Sequence, residues 1–343
     1  MTNDEVNSLA NKVFDANIQG NIGTTRARTT QLNVEINRER AEVGLKVESA
    51  VPTTLGHVIG IQEFRFVTEA SASYQGGDLE VAIQLDVTTS MRGDKLPALK
   101  EATKRLIDIL IPDQDTGQNS VRVALAPFSG GVNVGRYATA VTGRSSSCVY
   151  ERHDLRYQDT DLPPFGSKRL LTSSDLGHRK CPSSATIMPL TDDKYALKSS
   201  VESLKHAGTT AGHLGTAWVW YLLSPEWSGI WPSASEPVRY HDGQTTKVAV
   251  LMTDGEYNTF GGKLGRSERS KSVDAAKRTC DAMKNKGIII YTVGFKLTTY
   301  RARDIMAYCA SGNNRSFSAD SNADLLMAFS AIAVGITQLR LTH

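Results

Sequence analysis

The pattern of apolar and polar positions changes character near residue 78. Beyond it, continuous apolar runs alternate with segments in which apolar residues recur every three or four positions. The runs are typical of strands buried on both faces of a sheet, and the recurring positions predict amphipathic helices. The predicted strands cover residues 79–86, 121–128, 247–254, 287–295 and 316–320. The predicted helices cover residues 94–111, 192–204, 211–224, 270–286, 301–310 and 324–339.

This alternation predicts an α/β fold in which a mostly parallel sheet carries helices on both faces. We assign residues 77–343 to this one large domain. Residues 129–190 interrupt the alternation with a long insertion rich in Ser, Asp, Arg and Pro. A connection of that length needs anchoring of its own or carries a function.

The first 76 residues follow a different pattern. A short helix is predicted near residues 4–18, and apolar residues then alternate with polar ones over 32–36, 43–47 and 63–73. A period of two is typical of antiparallel strands with one buried face. We therefore predict a small N-terminal α+β module over residues 1–76.

Charge and hydropathy exclude some classes of function. The 343 residues include 39 basic and 36 acidic ones, which are interspersed and give a net charge of +3. Nucleic-acid binding is not expected, because it usually requires a basic patch or stripe. The chain opens with the polar segment MTNDEVNSLANK, and no run approaches the ~20 apolar residues of a membrane span.

Oxygen-bearing side chains stand at the ends of two predicted strands and before a predicted helix. The five that we single out are Asp86, Thr88, Ser90, Thr210 and Asp254. The carboxyl ends of parallel strands meet at one edge of the sheet, where α/β proteins bind ligands. Hard divalent cations such as Mg²⁺, Mn²⁺ and Ca²⁺ prefer such oxygen ligands. Thr209 is the alternative to Thr210 as the third hydroxyl.

Four cysteines fall into two pairs that are local in the sequence, Cys148 with Cys181 and Cys280 with Cys309. They form no CxxC motif, which disfavours a structural zinc site. Spacing alone leaves two disulfides and four reduced thiols equally open.

The five oxygen-bearing residues together resemble the metal-ion-dependent adhesion site of von Willebrand A domains. That pattern is Asp-x-Ser/Thr-x-Ser after the first strand, a Thr in a later loop and an Asp at the fourth strand. Further segments resemble the TadG-type proteins of bacterial Tad (Flp) pilus systems over roughly residues 45–341. They include VALAPFSGGVNVG at 123–135, GTTAGHLGTAWVWYLLSP at 208–225 and VLMTDGEYN at 250–258.

The resemblance implies a von Willebrand A domain that holds one divalent cation, which we expect to be Mg²⁺ rather than Mn²⁺ or Ca²⁺. An Asp or Glu side chain of a protein partner would occupy the open coordination position of that cation. The resemblance also implies a minor pilin, a pilus-tip adhesin or an assembly component. Residues 1–76 would then be a pilin-like module, with a membrane anchor preceding Met1. The site of action would be the periplasmic side of the bacterial inner membrane or the pilus outside the cell. In such a compartment we expect the disulfides Cys148–Cys181 and Cys280–Cys309.

Two other functions are compatible with the pattern. A metal-dependent phosphohydrolase also places an Asp at the end of the first strand, but it needs a second carboxylate two residues later. Thr88 stands there, and Thr is not a titratable acid or base, so we predict that the protein is not an enzyme. In the other alternative the metal only stabilises a structural pilus component.

Several other residues invite a functional interpretation. Asp94 closes an Arg-Gly-Asp tripeptide and is expected to cap the following helix. His206 and His213 could line the rim of the metal site, but we favour a solvated histidine or one in the first turn of a helix. Trp227 and Trp231, in a loop rich in Pro and Ser, could be interface aromatics.

Overall fold

The chain divides into two compact units, residues 1–76 and residues 77–341, and each is described by itself. The computed structural model describes residues 8, 12, 28–37, 42–53, 60, 62–73, 77–112, 120–177, 181 and 184–339.

The first unit contains an antiparallel sheet with the strand order β1-β2-β3. Its strands are β1 (Arg28–Asn37), β2 (Glu42–Pro52) and β3 (Glu63–Ser73). The register pairs Val34 with Leu45 and Leu45 with Ala70, so apolar residues share one face. Of the helix expected near residues 4–18, Ser8 and Lys12 are helical, and the remainder lies outside the described residues.

The second unit alternates strands and helices. Its strands are β4 (Asp78–Asp86), β5 (Val121–Phe128), β6 (Val132–Asn133), β7 (Cys148–Arg152), β8 (Leu170–Thr172), β9 (Met188–Thr191), β10 (Thr245–Thr253), β11 (Thr259–Phe260), β12 (Lys263–Leu264), β13 (Ile289–Phe295) and β14 (Ser316–Ala319). Its helices are α1 (Lys95–Leu110), α2 (Ala138–Thr142), α3 (Lys194–Ser203), α4 (Gly212–Leu223), α5 (Arg266–Asn285), α6 (Tyr300–Cys309) and α7 (Asn322–Leu339).

The main sheet has the strand order β14-β13-β10-β4-β5-β9. Its first five strands are parallel, and β9 pairs antiparallel with β5. The predicted α/β fold with a mostly parallel sheet is therefore confirmed. Residues 188–190, at the end of the segment expected as an insertion, belong to β9 and so to the main sheet.

Helices cover both faces of the sheet. Along β4, Val81, Ile83 and Leu85 pack with α1, α3 and α7, whereas Ala82 faces the core built by α4, α5 and α6. Both clusters are stabilised by removal of apolar surface from water. By length and composition alone α7 could cross a membrane, but it packs side chains such as Phe329 and Ile332 into the core of this unit.

The insertion has its own small sheet, with the order β6-β7-β8. A buried arginine, Arg152, forms hydrogen bonds to other segments of the insertion. Its guanidinium donates hydrogen bonds to the carbonyl oxygens of Leu162 and Lys168, and it lies 5.0 Å from the ring centroid of Tyr221 in α4. The insertion is therefore anchored to the helix that follows the Thr210 loop.

Both cysteine pairs form disulfides in this structure. Cys148 bonds Cys181 across a Cα–Cα distance of 5.7 Å and closes the insertion. Cys280 bonds Cys309 across 5.3 Å and joins α5 to α6 inside the core. These are the two pairs that the family resemblance implies.

Close packing at the start of α4 generates a prediction about stability. A Cβ atom added at Gly212 would lie 1.9 Å from Cε1 of Tyr257, whose ring is fully buried and whose hydroxyl accepts a hydrogen bond from Gln84. Since neither ring nor helix can retreat, Gly212→Ala should reduce the free energy of unfolding by about 3 kcal/mol.

Urea unfolding measures this loss. Gly229→Ala is the matched control, because no atom lies within 4 Å of its added Cβ. We expect the control to change the free energy of unfolding by less than about 1 kcal/mol. Equal losses in the two variants would contradict the packing described here.

Candidate metal centre

The loop after β4 brings two hydroxyls back over the carboxylate that ends the strand. Asp86 is fully buried, and its Oδ1 accepts a hydrogen bond of 2.9 Å from the backbone N–H of Thr88. This bond turns the chain into a short 3₁₀ turn over Thr89–Met91. The hydroxyl oxygens of Thr88 and Ser90 then lie 2.7 Å apart.

The end of β10 supplies the second carboxylate. Because β4 and β10 are parallel neighbours, their carboxyl ends lie side by side. The Ser90 hydroxyl donates to Oδ1 of Asp254 at 2.6 Å. The Thr253 hydroxyl donates to Oδ2 of Asp86 at 2.7 Å. Thr88, Ser90 and both carboxylates therefore form one hydrogen-bonded network.

The loop before α4 lies against this group. The N–H of Ala207 donates to the carbonyl oxygen of Val87 at 2.8 Å, and the N–H of Thr89 donates to that of Gly208 at 3.0 Å. Thr210 is buried, and its own N–H donates to the side chain of Asn258. These hydrogen bonds hold the Thr210 loop against the loop that follows β4 and against the segment after Asp254.

Thr209, the alternative hydroxyl, faces a different neighbour. A Cβ atom added at Gly130 would lie 2.6 Å from its Oγ1. That hydroxyl is therefore directed towards the turn after β5. Thr210 is the more buried of the two and keeps its place in the candidate site as a proposal.

Burial and repulsion by Asp254 both change the pKa of the Asp86 carboxyl group. Removal from water, followed by the nearby charge of Asp254, raises the pKa of Asp86 to about 6. Hydrogen bonds from Thr88 and Thr253 act in the opposite direction, because they favour the ionised form. Two buried carboxylates in one site call for a compensating positive charge.

One positive charge is already present. The ammonium of Lys95, in the first turn of α1, donates to Oδ2 of Asp254 at 2.7 Å. The lysine side chain is 23% exposed, whereas that of Asp254 is fully buried. The site thus reaches the surface on the side of Lys95 and of the exposed Ser90.

The donor set fits a hard divalent cation. Two carboxylates and neighbouring hydroxyls provide only oxygen ligands, which Mg²⁺, Mn²⁺ and Ca²⁺ prefer. Across the part of the chain that the structure describes, no three His, Cys, Asp or Glu side chains are grouped as metal ligands. A cation here would therefore depend on hydroxyls and water besides Asp86 and Asp254.

The structure corrects one expectation and decides between the alternatives for a second residue. Asp94 makes no side-chain cap, and its carboxylate instead accepts hydrogen bonds from Lys296 and Asn322. His213 lies in the first turn of α4, which is one of the places expected for it, and it is buried between Glu151 and Ser272 rather than lining the metal site.

The two tryptophans that could have been interface aromatics belong to the core instead. Trp227 and Trp231 are buried, and Trp227 stacks on Tyr221 with ring centroids 4.3 Å apart. The short 3₁₀ helix Pro225–Ile230 folds this loop back onto α4. Its Pro and Ser content suggested an exposed loop, whereas the rings pack in the core.

Three residues that shape the site were not predicted from the sequence. They are Lys95, Thr253 and Asn258. Thr253 directly precedes Asp254, so its place beside the first carboxylate could have been inferred from the parallel pairing of the strands. Lys95 gave no comparable signal, because its partner is 159 residues away in the chain.

Comparison with known proteins gives only distant similarities. No family model matches the sequence, and no curated protein matches it. Solved structures do match.

The von Willebrand factor domain of the type V pili tip protein Mfa5 from Porphyromonas gingivalis is 14% identical, with a TM-score of 0.48, over 78% of this chain and 97% of that one. The pilus adhesin SpaC from Lactobacillus rhamnosus GG is 12% identical, with a TM-score of 0.48, over 93% of this chain and 35% of that one. Proximal thread matrix protein 1 of the mussel byssus, solved with a zinc-occupied MIDAS motif, is 14% identical, with a TM-score of 0.41, over 77% of this chain and 48% of that one.

This chain thus spans about a third of SpaC and about half of the byssus protein. With identities no higher than 14% and TM-scores no higher than 0.48, these likenesses carry no argument here. The fold and the candidate site rest on the strand order and the contacts of this chain.

The raised pKa of Asp86 generates a prediction about pH. In the metal-free protein this group stabilises the fold at low pH, and its contribution is lost as the pH rises from about 4 through about 6. At about pH 5 a cation must displace the proton, so Mg²⁺ should bind about tenfold more weakly than at about pH 7.5.

Thermal unfolding with and without Mg²⁺ at the two pH values checks this. The increase in Tm on adding Mg²⁺ should be larger at the higher pH. An increase that is the same at both pH values would contradict the assignment of Asp86 as a ligand.

Proposed function

We propose that residues 77–343 form a von Willebrand A-type binding module that holds one divalent cation, preferably Mg²⁺, and uses it to bind a protein partner. The observation that carries the proposal is the hydrogen-bonded network of Asp86, Thr88, Ser90 and Asp254. It lies at the carboxyl edge of a parallel sheet, where α/β folds bind ligands.

Each proposed ligand has a distinct part. Asp86 and Asp254 supply negative charge from buried positions, and Thr88, Ser90 and Thr210 supply hydroxyl oxygens. Hydrogen bonds from Thr253 and from the Thr88 backbone orient the Asp86 carboxylate. When bound, the cation would offer an open coordination position to an Asp or Glu carboxylate of the partner.

The biological setting is inferred from the family resemblance. We place the protein in a Tad (Flp) pilus system as a TadG-type minor pilin, tip adhesin or assembly component. It would be anchored at its N-terminus and exposed on the periplasmic side of the inner membrane or on the pilus. Two disulfides support an oxidising compartment, where such bonds persist.

A role in binding is favoured over catalysis. Thr88 occupies the position where a phosphohydrolase carries its acid or base, and its hydroxyl is engaged with that of Ser90. Both oxygens of Asp254 are engaged as well, by Ser90 and Lys95. Phosphatase turnover that requires Asp86 would contradict this view.

The metal site is tested by removing its buried carboxylate. Asp86→Ala should abolish Mg²⁺ binding measured by calorimetry, because it removes one of the two carboxylates and the other, Asp254, is already paired with Lys95. The matched control is Asp274→Ala, which removes the same charge from the exposed face of α5. The control should bind Mg²⁺ like the unmodified protein, and an Asp86→Ala variant that does so would overturn the site.

The binding role is tested with a carboxylate probe. Immobilised poly-L-glutamate should retain the protein in Mg²⁺ and release it in EDTA, whereas poly-L-glutamine should not retain it. Asp86→Ala should lose this retention, and Asp274→Ala should keep it. The recognition proposal fails if Mg²⁺ binds to and stabilises the protein but neither EDTA nor Asp86→Ala changes its retention on poly-L-glutamate. The metal is then structural.

A further inference from the structure

Lys95 lies at the candidate metal site, but it is not one of the proposed ligands. Its ammonium is 2.7 Å from Oδ2 of Asp254, while Ser90 holds the other oxygen of that carboxylate at 2.6 Å. A second basic residue near this edge, Lys296, is paired with Asp94 instead. Among the described contacts of Asp254, Lys95 is therefore the one that brings a positive charge.

The contact has a direct electrostatic consequence. Two carboxylates without a counter-ion repel each other when buried, and a nearby ammonium offsets part of that repulsion. A divalent cation that binds Asp254 must either displace the ammonium or remain beside it. Both events weaken cation binding, because one loses an ion pair and the other brings like charges together.

The side chain of Lys95 can move without disturbing the core. It is 23% exposed, and it stands on the first turn of α1, whereas the apolar residues of that helix pack into the sheet. A lysine stem is flexible and can carry its head into water. The contact is thus a pairing that a cation can replace.

We propose that Lys95 is a built-in counter-ion, which pairs with Asp254 in the metal-free protein and lowers the affinity of the site for divalent cations. The inference rests on the proposed function, since it assumes that the same oxygens bind a metal. It adds a residue that sets cation affinity although it is not a ligand. The site would consequently fill only where divalent cations are plentiful.

Calorimetric titration with Mg²⁺ compares four variants with the unmodified protein. Lys95→Met should bind Mg²⁺ at least about tenfold more tightly, because the competing charge is gone. Lys95→Arg keeps the charge and should bind within about threefold of the unmodified protein. Lys104→Met is the matched control, because Lys104 lies on the same helix and pairs with Glu202 away from the site. Lys95→Gln removes the charge but keeps a donor, so it replaces the Met variant if that variant does not fold.

A second readout is the Tm, measured first without metal and then with Mg²⁺. In EDTA, Lys95→Met should have a lower Tm than the unmodified protein, while Lys95→Arg and Lys104→Met should lose less. Mg²⁺ should then raise the Tm of Lys95→Met more than that of any other variant. This combination of a less stable metal-free state and tighter binding would not arise from a merely structural salt bridge.

The outcomes separate the two proposals. If the unmodified protein binds Mg²⁺ and Asp86→Ala does not, the metal site stands. Unchanged or weaker binding by Lys95→Met and Lys95→Gln would then overturn the counter-ion alone. If neither the unmodified protein nor Lys95→Met binds Mg²⁺, both the proposed site and the counter-ion fail.

Discussion

Two buried carboxylates at the ends of neighbouring parallel strands, Asp86 and Asp254, are the constraint around which this edge of the domain is arranged. Ionised groups removed from water are unfavourable unless hydrogen bonds and opposite charge compensate them. Asp86 accepts hydrogen bonds from the Thr88 backbone and the Thr253 hydroxyl, and Asp254 accepts them from Lys95 and Ser90. A cation would compensate both carboxylates at once.

The fold holds the side chains of this edge in position. Parallel pairing of β4 with β10 sets the two strand ends side by side, and main-chain bonds hold the Thr210 loop against them. Beside the site, Tyr257 packs on Gly212 and contacts Gln84, a buried polar residue two positions before Asp86 in β4. The hydroxyl groups are therefore oriented by a rigid scaffold before any ligand arrives.

The sequence predicted those features that depend on local pattern. Apolar runs located the strand ends, so Asp86 and Asp254 could be placed at one edge, and Thr88 and Ser90 followed from their distance to Asp86. Features that depend on distant contacts were missed. Lys95 meets Asp254 only in the folded chain, and the carbonyl oxygens that bind Arg152 come from a segment without hydrophobic periodicity. The burial of Trp227 could not be predicted, because loop composition does not reveal that a turn folds back onto α4.

The proposed function requires that one divalent cation binds among Asp86, Thr88, Ser90, Thr210 and Asp254. A crystal grown in Mn²⁺, with diffraction recorded near the manganese absorption edge, tests it most directly. We predict an anomalous peak bounded by these oxygens, with Lys95 withdrawn from Asp254 or standing beside the ion. The absence of a peak at this edge in crystals that contain Mn²⁺, or a peak held by other residues, would contradict it.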